Sequence, residues 1–104
     1  MHVEINSDNH VHAGETLRSE VRAAVEGALD RFAERVTRVE VHLGDVNSHK
    51  TSADDKRCMM EARLGGLPPV AVTHHAGSLS LAVQGAAEKL ERAIDNTLGR
   101  LNDR

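Results

Sequence analysis

The sequence predicts an α+β fold in the order β-α-β-β-β-α, a four-stranded mixed sheet with two helices packed on one face. Three observations carry this. Two long segments, Glu15–Val36 and Ser78–Leu101, repeat apolar residues at three- and four-residue steps, the period of a helix with one buried stripe. Four shorter segments alternate apolar and polar residues, the period of a strand with one buried face. A single layer of helices on a single sheet buries every stripe and face at once.

Each element has its own warrant. In Met1–Asn6, Val3 and Ile5 alternate with His2 and Glu4, which predicts a half-buried strand; the turn-rich Ser7–Gly14 follows. The first helix gathers Leu17, Val21, Ala24, Val25, Ala28, Phe32 and Val36 on one face, with Glu15 in its first turn and Arg35 in its last, as the helix dipole favours. A second strand, Arg38–Val46, alternates Val39, Val41 and Leu43 with Glu40 and His42. The polar stretch Asn47–Lys56 has no period and reads as a loop. Arg57–Leu64 is the third strand, with Cys58, Met60, Ala62 and Leu64 on its apolar face. Gly65-Gly66-Leu67-Pro68-Pro69 is a turn, and Val70–His75 the fourth strand, which leaves both prolines outside the ladder. The second helix carries Leu79, Val83, Ala86, Ala87, Leu90, Ile94, Leu98 and Leu101, with Ser78 as its N-cap. Gly85 within it suits close packing and Gly99 a fraying end. The first two strands flank a helix and are expected to run parallel; the later connections are short enough for antiparallel pairing. The 104 residues read as one domain, residues 1–104.

Composition excludes several functions. Apolar residues are 39% of the chain, enough for a core and against disorder. Phe32 is the one aromatic residue, so base stacking on aromatic platforms is excluded as the main binding mode. The single cysteine, Cys58, precludes an internal disulfide and a cysteine zinc framework, fits a reducing compartment, and falls on the buried face of its strand. Met1–Asn6 lacks the basic and apolar regions of a secretory signal, and no apolar run is long enough to span a membrane. No phosphate loop, nucleophile elbow or metalloprotease pair is present, so no enzymatic activity, cofactor, metal or small-molecule substrate is expected. His74 and His75 are adjacent on a strand and point to opposite faces. His2 and His42 become neighbours if their strands pair in register, a two-ligand arrangement needing Glu4 or Glu40 as a third.

The basic residues are the more informative group. The net charge is −3 with histidines neutral, so a nucleic-acid surface has to be local. Arg18 and Arg22 share one face of the first helix. Lys89 and Arg92 share one face of the second, away from Leu90 and Ile94. Helices side by side would present both pairs together, with Lys56 and Arg57 at the loop end as outer phosphate contacts. Glu20, Glu26, Glu88 and Glu91 are interleaved among them, as on any soluble helix.

The whole chain resembles the ribosome hibernation-promoting factor and ribosome-associated inhibitor A family, also described as sigma-54 modulation proteins. The resemblance rests on Val3-Glu4-Ile5-Asn6 through His12, Glu15-Thr16-Leu17-Arg18, Val39-Glu40-Val41-His42-Leu43, Leu81-Ala82-Val83, and Glu88-Lys89-Leu90-Glu91-Arg92, taken in order and at the right length. It implies a fold like double-stranded-RNA-binding domains. It implies a cytoplasmic, non-enzymatic stress factor that silences translation by occupying the mRNA/tRNA channel of the small ribosomal subunit, with no DNA or membrane partner. Residue by residue, Arg18, Lys89 and Arg92 carry over as rRNA contacts; Arg22 is added from helical geometry. The chain departs from the family where lysines usually stand: Ala24, Gly27, a strand without lysine near Gly44, and Asp95-Asn96-Thr97-Leu98-Gly99-Arg100. The basic surface is thus thinned, and the end at Arg104 reads as a short form. The alternative expectation is a divergent member acting as a protein-interaction module through the sheet face of His2, Glu4, Glu40, His42 and Met59, without ribosome binding. A third, pH sensing, follows only from the seven histidines and their ordinary pKa range.

Overall fold

The computed structural model describes residues 1–8, 11–45 and 55–102. Its elements are β1 (His2–Ser7), α1 (Glu15–Leu29), a short 3-10 turn (Asp30–Phe32), β2 (Val36–Asp45), β3 (Lys56–Leu64), β4 (Val70–Ala76) and α2 (Leu79–Asn102). The strands form one sheet in the order β1-β2-β3-β4. β1 pairs parallel with β2, and the other pairs are antiparallel. This is the expected mixed sheet. Most of the predicted polar loop Asn47–Lys56 lies outside the described residues, which omit 46–54, as do Asn9 and His10 of the first turn.

Alternation does what a period of two requires. Ile5, Val39, Val41, Leu43, Cys58, Met60, Ala62 and Leu64 are buried beneath the helices, with Val21, Val25, Leu29, Ala82, Val83, Ala86, Leu90 and Ile94 above them in one cluster. The opposite sheet face stays in water with its polar partners Glu4, Arg38, Glu40, His42, Glu61 and Arg63. No described helix is long and apolar enough to cross a membrane.

The first helix ends seven residues earlier than its apolar stripe suggested. Leu29 leaves helical geometry (φ −106°, ψ 11°) and the chain tightens into the 3-10 turn. That keeps Phe32 buried, with the Arg31 guanidinium 4.3 Å over its ring. Val36 fits either period. It opens β2 opposite Leu64, and a register shift between Val36 and Arg38 brings the alternation into phase. The turn into β4 is type II. The Leu67 N–H donates to the Leu64 carbonyl at 3.2 Å, and Gly66 has φ +76°, where glycine alone is unstrained. Ser78 caps α2 as expected, its Oγ accepting the Leu81 N–H at 3.2 Å.

Cys58 is fully buried, and burial pushes its thiol up from 9.0 to about 12. An unfolded chain loses this proton near pH 9 while the folded chain keeps it, so the associated stability is complete below pH 9 and falls between pH 9 and 12. The wild type is expected to lose stability above pH 9 by up to about 1.4 kcal/mol per unit more than Cys58→Ala does. Urea denaturation of both proteins on either side of pH 9 checks this; parallel pH profiles would contradict it.

Candidate nucleic-acid interface

The two helices run parallel. Near their starts the Ser80 hydroxyl donates to Glu20 at 2.7 Å. Near their ends Arg31 lies 3.5 Å from Glu91 and 3.3 Å from Asp95. The seam between the helices is therefore acidic and polar, and the flanks turned away from it follow opposite edges of the sheet. α1 reaches toward β1, where Arg18 donates to the carbonyls of Ala13 at 2.9 Å and Ile5 at 3.4 Å. α2 reaches toward β4, where the Lys89 ammonium donates to the Thr73 carbonyl at 2.9 Å.

This divides the six cations expected to form one patch. Arg18 and Arg22 sit on the β1 flank; Lys89 and Arg92 sit on the β4 flank. Three strand spacings separate the two edges, about 14 Å, so the pairs do not converge. The reason is the helix phase: each pair lies on the side of its helix opposite the α1–α2 seam. Lys56 is held by Asp45 and Asp55, each at 3.2 Å, and hydrogen bonding to Asp55 and then Asp45 holds its ammonium above the usual lysine range. Arg22, Arg57 and Arg92 are exposed and make no ion pair with another described residue.

The β4 flank is the richer one. Lys89 lies beside Thr73, and Arg92 and Arg100 follow on the same side of α2 at steps of three and eight residues; His75 stands on the open face of β4 opposite Arg57, whose guanidinium turns the other way, over Gly44 toward Asp8. Pro69 and Val70 at the start of β4 line a shallow depression with Asn96 and Arg100. α2 thus runs antiparallel to β4 and spreads its cations along the strand. β4 itself contains no carboxylate. Arg100 and His75 are absent from the sequence-based set. The spacing Lys89, Arg92, Asn96, Arg100 was a legible signal for the first; the second needed the strand register.

Arg18 is as much a structural clamp as a surface charge. Arg18→Ala is expected to lower stability by about 2 kcal/mol, the loss of two charge-assisted bonds, while Arg22→Ala stays within about 0.5 kcal/mol of the wild type. Equal effects in urea titrations would contradict the assignment.

The sheet's open face offers no comparable site. The register aligns Glu4, Glu40 and Glu61 in one row. Arg38 bonds Glu4 and lies 3.5 Å from Glu40, and Arg63 lies 3.9 Å from Glu40 and 3.5 Å from Glu61. His2 pairs with Arg38 and His42 with Asn6, so the two histidines stand four residues apart along the sheet and do not share a ligand site. No group of three metal-binding side chains exists among the described residues. At the end of this face Asp8 and Arg57 close over Gly44, where an added Cβ would lie 2.9 Å from Asp8 Oδ2.

The described residues thus form a β-α-β-β-β-α fold with a line of cations along one sheet edge. Comparison with known families makes this specific: residues 3–102 match the sigma 54 modulation protein / S30EA ribosomal protein family, and the chain belongs to it. The family points to a ribosome-associated factor. The fold is similar to the Protein Y N-terminal domain of Thermus thermophilus, with a TM-score of 0.74 at 19% identity over 93% of this chain and 99% of that one. It is similar also to a ribosomal subunit interface protein from Coxiella burnetii, with a TM-score of 0.73 at 15% identity over 95% and 99%. No curated protein matches by sequence.

Proposed function

We propose that this chain is a translation-silencing hibernation factor that binds rRNA in the mRNA/tRNA channel of the small ribosomal subunit. It acts by occlusion, with no bond made or broken, in the cytoplasm where ribosomes work. The family match over residues 3–102 carries this reading. The β4–α2 flank supplies the surface: Lys89 and Arg92 meet phosphates, with Arg100 extending the line, and Arg22 and Arg57 make outlying contacts away from it. Arg18 and Lys56 contribute less, because each is held by two oxygens of the chain itself, whereas Lys89 has a single such bond to release. Few phosphates are neutralised, so affinity should fall only shallowly with salt. Binding of labelled protein to purified small subunits across a salt series tests this. A shallow negative slope supports it; salt-independent binding contradicts it.

A second reading has its own observation. Three of the six candidate cations already bond within the chain, which favours a protein-interaction module. Binding to ribosomes that survives both salt and ribonuclease would select this reading.

A further inference from the structure

Each edge of the sheet is closed by a basic side chain from the neighbouring helix. On β1 the Asp8 N–H donates inward to Leu43 at 3.1 Å, so the alternate residues Val3, Ile5 and Ser7 turn their main chain outward, and Arg18 binds the Ile5 carbonyl. On β4 the outward Thr73 carbonyl is bound by Lys89. In an antiparallel ladder the N–H and C=O of one residue point the same way. Ala71, Thr73 and His75 therefore all present both groups outward. The β1 edge has further cover from the segment into α1, where Val11 is buried and its N–H bonds Asp8. On β4, Lys89 is the one side chain among the described residues that bonds the outward edge.

We propose that β4 is a self-pairing edge, that its partner strand is β4 of a second copy of this chain, and that Lys89 holds it closed. The strand is built for this. Val70–Ala76 carries no carboxylate, lysine, arginine or proline, the features that normally blunt an edge. Its pairing with β3 is regular from Ala62–Val70 to Lys56–Ala76, so the edge is continuous. Antiparallel pairing about a two-fold axis at Thr73 sets Ala71 opposite His75, with no like charges facing. The contact is isologous and uses each edge once, so it closes at a dimer. A lysine ammonium on the central carbonyl blocks the middle of that ladder. Lys89 is shared with the ribosome reading above, so the test reads oligomeric state alone, in the absence of ribosomes.

Analytical ultracentrifugation of the wild type, Lys89→Ala and Lys89→Ala/Thr73→Pro at matched concentration tests it. The wild type is expected to be monomeric and Lys89→Ala to show about twice the monomer mass. Thr73→Pro removes an outward N–H without touching the β3–β4 ladder, and should restore the monomer. Hydrogen exchange gives a second readout that needs no proline: the Ala71, Thr73 and His75 amides become protected in the Lys89→Ala dimer. A dimeric wild type, a monomeric Lys89→Ala, open-ended oligomers, or a dimer leaving these amides unprotected would each overturn the proposal.

Discussion

Replacing Gly85 by alanine is expected to destabilise the protein by about 2 kcal/mol, the scale of an overpacked core, although the same change in an open helix stabilises by about 1 kcal/mol. The reason is the His74 ring. His74 lies on the inner face of β4, in register with Cys58, and an added Cβ at Gly85 would sit 2.1 Å from its Cδ2, 2.3 Å from Nε2 and 2.6 Å from Cγ. Contact at Cγ means the whole ring has to leave, not just its tip. Gly27 and Gly99 have nothing within 4 Å of the added atom, so alanine there is expected to stabilise by about 0.5–1 kcal/mol. Removing the ring should reverse the sign at Gly85: in a His74→Ala background, Gly85→Ala becomes stabilising, giving a coupling of about 3 kcal/mol in the double-mutant cycle. Urea denaturation of the four proteins measures it. Additive effects would show that ring and helix do not meet.

The double charge reversal Arg92→Glu/Arg100→Glu is expected to weaken small-subunit binding about a hundredfold. Two lost charge-assisted phosphate bonds are worth about 3 kcal/mol together. Neither arginine pairs with a described residue, and both are exposed, so the fold should be unaffected. The substitution also spares Lys89 and hence the β4 edge. The matched reversal on the other edge, Arg22→Glu, should cost much less, since a single contact is lost there. Equal losses on the two edges would contradict the assignment of the interface to the β4–α2 flank.

The sequence was most informative where periodicity was long and clean. All four strands, the second helix and the start of the first lie where alternation and helical spacing place them, and the Ser78 cap and the proline-free start of β4 follow from local chemistry alone. The end of α1 was not legible, because Val36 satisfies a helical stripe and a strand face equally well and only its pairing with Leu64 decides between them. The candidate interface was legible as residue types but not as a surface. Spacing shows that Arg18 and Arg22 share a face, and likewise Lys89 and Arg92. It does not show that each face turns away from the other helix, because that depends on the seam made by Ser80 with Glu20 and Arg31 with Asp95. Nor does charge alone show that Lys56 is neutralised by Asp45 and Asp55, or that Arg18 and Lys89 each hold a main-chain carbonyl of an edge strand. Close packing at Gly85 was legible as a requirement; its partner, His74, became visible only through the register of β4.

The central claim is that this family member binds the small ribosomal subunit despite a thinned basic surface. Sedimentation of the purified protein with separated ribosomal subunits through sucrose, at low and at moderate salt, tests it most directly. The account predicts co-migration with the small subunit that weakens as salt rises. Absence from the small subunit at both salts would contradict it.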